Sequence, residues 1–137
     1  PSTDKFNNDD LSILNNFSSN IDNIVDKIDN QNINYYIDFV VGQLFNANKY
    51  FNDQAPWTKK SDTKRLNTIV YVSLELIRKI SILLYPVMPQ TTLKVLSIFS
   101  INEKQINFSS ITDNKFLKEK MKISKLDILY KKIIKND

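Results

Sequence analysis

The chain has 137 residues, of which 42% are hydrophobic and 25% charged, and its formal net charge is +4. This length and composition are typical of one globular domain that can bury a core. Because the chain contains one glycine and neither cysteine nor histidine, disulfides, thiolate or imidazole metal sites and histidine-dependent catalysis are excluded, and tight β-hairpins and glycine-rich phosphate loops are disfavoured. We expect no catalytic residue and no metal ligand in this chain.

The most apolar segment, residues 66–88, contains Glu75, Arg78 and Lys79 near its middle. Because such charges are costly at the centre of a bilayer, we interpret the segment as a buried helix of a soluble protein. The first residues are polar and acidic and do not resemble a secretory signal. The sequence therefore predicts a cytoplasmic protein without a membrane partner.

Charge is distributed unevenly along the chain. Acidic residues prevail up to Ala55, whereas basic residues prevail from Pro56 onward. One basic cluster directly follows Trp57 and comprises Lys59, Lys60, Lys64 and Arg65. A second cluster lies at the C-terminal end. A basic half suggests a polyanionic partner, and a solvated lysine face is the alternative interpretation.

Asp9 or Asp10 can act as the N-cap of the first predicted helix. Its apolar residues recur at the spacing of one helix face; they are Leu11, Leu14, Phe17 or Ser18, Ile21, Ile24 or Val25, and Ile28. The polar run at residues 29–32 ends this helix, and Asn30 or Asn32 can cap the next one.

The second predicted helix covers about residues 33–53. Its expected buried stripe consists of Ile33, Tyr36 or Ile37, Val40 or Val41, Leu44, Ala47 and Phe51. Gly42 lies mid-helix, where it costs roughly 1 kcal/mol against alanine, and a close helix–helix contact would explain its presence. Pro56 ends the helix and favours an extended backbone at Ala55. Trp57, the only tryptophan, then lies at a corner, either as a core plug or as a stacking platform.

The third predicted helix covers residues 64–85 and can be capped by Ser61 or Asp62. It is apolar on nearly every side, so we expect it to be central and surrounded by other helices. A short fourth helix is predicted over residues 91–100, followed by an irregular segment. The predicted fold is an all-α antiparallel helix bundle with a short irregular C-terminal tail.

Three groups of residues together resemble the signature of the helical anticodon-binding domain of methionyl-tRNA synthetases. They are Asn48-x-Tyr50 with Gln54-Ala55-Pro56-Trp57, then Glu75-x-x-Arg78, and finally Leu83-Leu84-x-Pro86-Val87-Met88-Pro89. The likeness covers about residues 33–100, and residues 126–130 are similar to the short closing segment of that family. The Pro-x-x-Pro turn is shared with related class I synthetases, whereas the Pro-Trp pair is more particular to this family.

The resemblance implies that the chain recognises the anticodon loop of tRNA(Met). In this family the tryptophan after the proline stacks on the wobble cytosine, so Trp57 is expected to stack, with Pro56 holding the indole outward. Asn48 is a further anticodon-binding candidate, and a structural hydrogen bond across helices is its alternative role. Stacking of one base on an aromatic ring is worth roughly 1–3 kcal/mol. The cluster that follows Trp57 supplies candidate phosphate contacts; these are Lys59, Lys60, Lys64 and Arg65. Tyr50 is expected to pack behind the corner, and Glu75 and Arg78 to form a buried ion pair.

Two parts of the family pattern are absent. The asparagine and arginine that the family places one turn apart on its first helix have no match, and the histidine-containing nucleotide-binding motif is missing. The resemblance therefore implies a C-terminal fragment of a class I synthetase, a methionine–tRNA ligase. Residues 1–100 would be the anticodon-binding domain without its first helix, and residues 101–137 a tail packing back on it.

The same resemblance implies that this chain has no cofactor of its own and is inactive alone. ATP and methionine are expected to bind the N-terminal catalytic domain of the full-length enzyme, which would be a partner of this domain. The alternative is a non-enzymatic helical scaffold for protein interactions, in which Trp57 is part of the core.

Overall fold

The computed structural model describes residues 5–118 together with residues 123 and 125. This part of the chain is helical and contains no strand, which confirms the predicted all-α class. The α-helices are α1 (Asn8–Ser18), α2 (Ile21–Asp29), α3 (Ile33–Gln54), α4 (Thr63–Leu84) and α5 (Pro89–Ser97). Short 3₁₀ turns cover Pro56–Thr58, Glu103–Gln105 and Phe108–Thr112.

The first predicted helix is in fact two helices, α1 and α2, so the prediction of one continuous helix is wrong. The hydroxyl of Ser19 donates to the carbonyl of Asn16, 3.2 Å away, and the amide of Asn20 donates to Ser19 Oγ at 3.2 Å. Serine and asparagine compete in this way for local hydrogen bonds and favour helix ends over helix interiors. The hydrophobic spacing continues across the break and therefore does not reveal it.

The N-cap of α1 is Asn7, which corrects the prediction of Asp9 or Asp10. Asn7 Oδ1 accepts the backbone N–H of Asp10 at 2.9 Å, and Asp10 Oδ2 accepts the backbone N–H of Asn7 at 3.0 Å. This reciprocal pair is a capping box, which satisfies two backbone donors at the helix start.

Helix α3 has nearly the predicted bounds, and Asn32 caps it by accepting the N–H of Tyr35 at 3.3 Å. Its buried face, however, consists of Tyr36, Val40, Gln43 and Tyr50. The predicted stripe is partly wrong, because Ile33, Leu44 and Phe51 are exposed. More of the surface of α3 is apolar than the neighbouring helices cover.

Helix α4 is central, as predicted, and contacts α1, α3, α5 and the turn Phe108–Thr112. Asp62 caps it by accepting the N–H of Arg65 at 3.0 Å. Val70 and Ile77 remain exposed, so the expectation that neighbours surround every side is wrong. Helix α5 begins at Pro89, two residues earlier than predicted, because proline is well suited to the first helical position.

Buried charges on α4 hold the segment that follows α5. Arg78 and Glu75 are fully buried and paired at 2.8 Å, which confirms the predicted ion pair. Arg78 also donates to the carbonyls of Ser110 at 3.0 Å and Asp113 at 2.8 Å, while Glu75 accepts the N–H of Leu117 at 2.6 Å. The charges are therefore tolerated in the core because their hydrogen bonds are made internally.

Lys79 completes this buried group. Its ammonium donates to Asn114 Oδ1 at 2.6 Å and to the backbone carbonyl of Ile111, and burial lowers its pKa to about 8. Residues 110–117 are thereby bound to α4, and the turn Phe108–Thr112 also contacts α1. The predicted closing segment, residues 126–130, lies outside the described residues. Among the described helices, none is both long and apolar enough to span a bilayer.

Gly42 gives the first testable prediction. A Cβ built at this position meets no other atom within 4 Å, so the predicted close helix contact is wrong. Gly42→Ala should raise the free energy of unfolding by roughly 0.5–1 kcal/mol, because alanine loses less backbone entropy in a helix. Urea denaturation followed by circular dichroism measures the change, and a destabilised variant would contradict the open surroundings of this residue.

Candidate functional site

The corner between α3 and α4 is built by Ala55 and Pro56. Ala55 ends α3 in the left-handed conformation, with φ 43° and ψ 62°, rather than in the predicted extended one. Its N–H donates to the carbonyls of Phe51 at 3.2 Å and Asn52 at 3.1 Å, which closes the last turn of α3. Either conformation avoids the right-handed helical region that a following proline disfavours, and the helix-closing bonds select the left-handed one.

The turn Pro56–Thr58 fixes the backbone of Trp57. The N–H and hydroxyl of Thr58 both donate to the carbonyl of Ala55, at 2.9 and 2.7 Å. The N–H of Lys59 donates to the carbonyl of Pro56 at 3.0 Å. The ring of Pro56 is buried. The backbone on both sides of Trp57 is therefore held while its side chain points away from the bundle.

Trp57 is 56% exposed. Its aromatic neighbour is Phe51, with ring centroids 6.2 Å apart and ring planes inclined by 62°. An edge-to-face partner can cover at most one face of an indole. Trp57 is therefore not a core plug, and more than half of the residue is accessible to solvent.

A buried polar network holds the two helix ends that flank this corner. Asp10 is fully buried, and its carboxylate accepts two bonds from Arg65, at 2.6 and 2.9 Å, and one from the hydroxyl of Tyr50 at 2.6 Å. Arg65 also donates to Gln54 Oε1 at 2.5 Å, and Gln54 donates to Asp9 at 3.2 Å. The end of α3 and the start of α4 are thus tied to α1.

The hydrogen bonds and burial in this network shift the pKa values of its side chains. Burial alone would raise the pKa of Asp10, but the hydrogen bonds from Arg65 and Tyr50 outweigh burial and lower it. Burial and the neighbouring carboxylate raise the pKa of Tyr50, and the hydrogen bonds to Asp10 raise the pKa of Arg65. Near neutral pH the network therefore contains a carboxylate, a guanidinium and a neutral phenol.

The sequence-predicted residues divide into an exposed and an inward group. Lys59, Lys60 and Lys64 are exposed on the connection and first turn beside Trp57. Arg65 instead turns inward to Asp10, and Tyr50 is buried as expected. Asp10, the centre of the network, was predicted only as a helix cap, because a carboxylate at a helix start gives no sequence signal of a long-range partner.

Asn48 is exposed and lies at an apolar groove between α3, α4 and α5. The groove has a volume of about 510 Å³, and its lining includes Phe51, Ile77 and Leu84. Phe51 therefore borders both the groove and the indole of Trp57. In the described part of the chain, no three acidic side chains gather as metal ligands would.

A family model and curated relatives both match this chain. The family model described as the anticodon binding domain of methionyl tRNA ligase matches residues 1–137. Methionine–tRNA ligase from Brucella suis is 27% identical over 112 residues, which are 81% of this chain and 22% of that protein. The chain thus spans about a fifth of the length of this relative.

Solved structures of Mycobacterium tuberculosis methionyl-tRNA synthetase share the fold. The apo form aligns with a TM-score of 0.82 at 23% identity, over 97% of this chain and 28% of that one. The complex with methionyl-adenylate aligns with a TM-score of 0.74 at 27% identity, over 81% of this chain and 23% of that one. The bundle is therefore a known architecture.

Asp10 gives the second prediction. Asp10→Ala should lower the free energy of unfolding by roughly 3–5 kcal/mol at neutral pH, because it leaves Arg65 without its buried partner. Asp9→Ala is the matched control and should cost under about 1 kcal/mol, since Asp9 is exposed. Urea denaturation of both variants measures the difference, and equal losses would contradict the central position of Asp10.

The destabilisation caused by Asp10→Ala should depend on pH. Because the folded-state pKa of Asp10 lies below the ordinary value of 3.8, the stabilisation from its ionised form is complete above that value. It is lost as the pH falls through the lowered folded-state pKa. The stability difference between the unaltered chain and Asp10→Ala should therefore narrow in acid.

Proposed function

The chain belongs to the family of anticodon-binding domains of methionyl-tRNA ligases, and from this premise we propose that it recognises the anticodon loop of tRNA(Met) as one part of such a ligase. Binding of the matching anticodon by the ligase would select the tRNA. The acceptor end of that tRNA would then be aminoacylated at a distant site. This chain spans 22% of its Brucella suis relative. Aminoacylation would therefore need a catalytic domain outside this sequence, and the chain alone should be inactive.

The proposed catalytic partner domain would bind ATP and methionine. One similar protein is described in complex with methionyl-adenylate, the activated compound that joins methionine to the adenylate of ATP. The residues of this chain contribute RNA recognition to that reaction and not chemistry. We place the whole ligase in the cytoplasm, where tRNA is charged for translation.

The exposed indole of Trp57 is the observation that carries the proposal. Unpaired bases are recognised by splaying them onto aromatic faces, and each stack is worth roughly 1–3 kcal/mol. The hydrogen-bonded turn Pro56–Thr58 presents Trp57 with its backbone already ordered. Less entropy is then lost when a base binds, so more of the stacking energy appears as affinity. Pro56 acts here through the backbone, because its own ring is buried.

Charge beside Trp57 supports an RNA ligand. Lys59, Lys60 and Lys64 are exposed and follow Trp57 closely in the chain, so we propose that they contact the phosphates that flank a stacked base. We leave Arg65 out of these contacts, because its guanidinium is occupied by Asp10 and Gln54. We retain Asn48 as a proposed anticodon contact, since its exposed amide offers both a donor and an acceptor.

The third prediction concerns the indole. Trp57→Ala should weaken binding to a stem-loop with a CAU anticodon by roughly 5- to 150-fold, the loss of one stack. Fluorescence anisotropy of a labelled stem-loop measures the affinity. Circular dichroism should show unchanged helicity, because the ring is mostly outside the core. Unaltered affinity in a folded variant, or unfolding of the variant, would contradict the stacking role.

The fourth prediction concerns the lysines that follow Trp57. Replacing Lys59, Lys60 and Lys64 together by glutamine should make the affinity for the stem-loop less sensitive to salt. The slope of log affinity against log salt concentration should decrease in magnitude by about 0.7 for each phosphate that a lysine no longer neutralises. Lys94 and Lys104 are exposed lysines away from the corner, and the double variant Lys94→Gln/Lys104→Gln is the control. A salt dependence that changes by the same amount for each lysine removed in both variants would assign the effect to net charge instead of to the lysines that follow Trp57.

A further inference from the structure

We propose that Phe51 is a positioning residue for Trp57, whose ring holds the indole in one orientation so that a fixed face is offered to a base. This inference rests on the stacking role proposed above and assigns the orientation of that stack to a second residue. It is based on the contact between the two rings, whose centroids are 6.2 Å apart and whose planes are inclined by 62°.

An indole on a short turn needs such support. The turn Pro56–Thr58 orders the backbone of Trp57, but it does not restrict the side-chain torsions of a residue that is 56% exposed. A free indole would lose rotational freedom when a base stacks on it, which costs roughly 0.5–1.5 kcal/mol for an immobilised side chain. A neighbouring ring that already restricts the indole removes part of this loss.

Phe51 is suited to this task because it is itself anchored. It lies in the last turn of α3, and its carbonyl accepts the N–H of Ala55 at 3.2 Å. Its ring also borders the apolar groove lined by Leu76, Ile77 and Ile80. The preceding residue, Tyr50, is fixed by its hydroxyl bond to Asp10. The backbone of Phe51 is therefore set by the helix and not by the exposed turn, and the residue lies between the apolar groove and the indole.

The inclination of the two rings also determines which face of the indole a base can stack on. An edge-to-face pair has a directional electrostatic preference that an aliphatic side chain does not reproduce. Because Phe51 can cover at most one face, a base stacks on the face left open. Phe51 then affects RNA binding only through Trp57, without touching the RNA.

The experiment compares Phe51→Leu with Phe45→Leu. Phe45 is on the same helix and is 72% exposed, so its replacement controls for losing a surface phenylalanine from α3. Trp57 is the only tryptophan, and its time-resolved fluorescence anisotropy reports the mobility of this one indole. Helicity by circular dichroism should be unchanged in both variants.

Phe51→Leu should increase the mobility of the indole and weaken binding to a CAU stem-loop by roughly two- to tenfold, as expected when an aromatic pair is removed. Phe45→Leu should change neither quantity. In the Trp57→Ala background, Phe51→Leu should cause no further decrease in affinity, because the residue acts through the indole. Unchanged indole mobility, or a further decrease in that background, would overturn the inference.

The mobility measurement requires no RNA and so separates this inference from the proposed function. If Phe51→Leu frees the indole but the unaltered chain does not bind the stem-loop, the proposed function fails and the positioning of the indole by Phe51 is supported. If Trp57→Ala abolishes binding while Phe51→Leu leaves mobility and affinity unchanged, the proposed function is supported and the positioning role is overturned.

Discussion

The corner that carries Trp57 depends on one buried carboxylate. Asp10 is fully buried, and it is tolerated because Arg65 and Tyr50 supply three hydrogen bonds to its two oxygens. A carboxylate in this position is unfavourable without its partners and therefore selects the arrangement that provides them. Its partners lie on α3 and α4, close to the residues where those helices end and begin. These bonds tie the end of α3 and the start of α4 to α1, on either side of the turn that carries the indole.

A second group of buried charges works in the same way further along α4. Glu75, Arg78 and Lys79 are bound mainly by backbone atoms of residues 110–117. The segment after α5 has little regular structure, and these bonds replace those that a helix would make internally. Helix α4 thus organises both ends of the described chain, with one polar network beside the corner and the other beside the irregular segment.

Much of this architecture could be predicted from local sequence signals. Asn32 and Asp62 are efficient caps, and the start of α3 and of α4 followed from them. The Glu75–Arg78 pair could be predicted because both residues lie on one helix, where spacing determines contact. The family could be recognised because the residues around Pro56 and Trp57 form a short contiguous motif.

The remaining features depend on contacts between residues far apart in sequence. Arg65 was predicted to bind phosphate because it follows a run of lysines, and nothing in that run indicates a carboxylate 55 positions earlier. The break between α1 and α2 was missed because the apolar spacing continues through Ser19 and Asn20. The exposed apolar side of α3, including Phe45 and Leu44, was missed because periodicity shows which residues are apolar but not which of them a neighbour covers.

The proposed function requires that Trp57 offer an open indole face to an unpaired base. Titration of the intrinsic fluorescence of Trp57 with a CAU stem-loop reports on this indole alone, because the chain has a single tryptophan. We expect the red-shifted emission of a solvent-exposed indole in the free chain and saturable quenching by the stem-loop. Blue-shifted emission that is indifferent to the RNA would contradict this expectation.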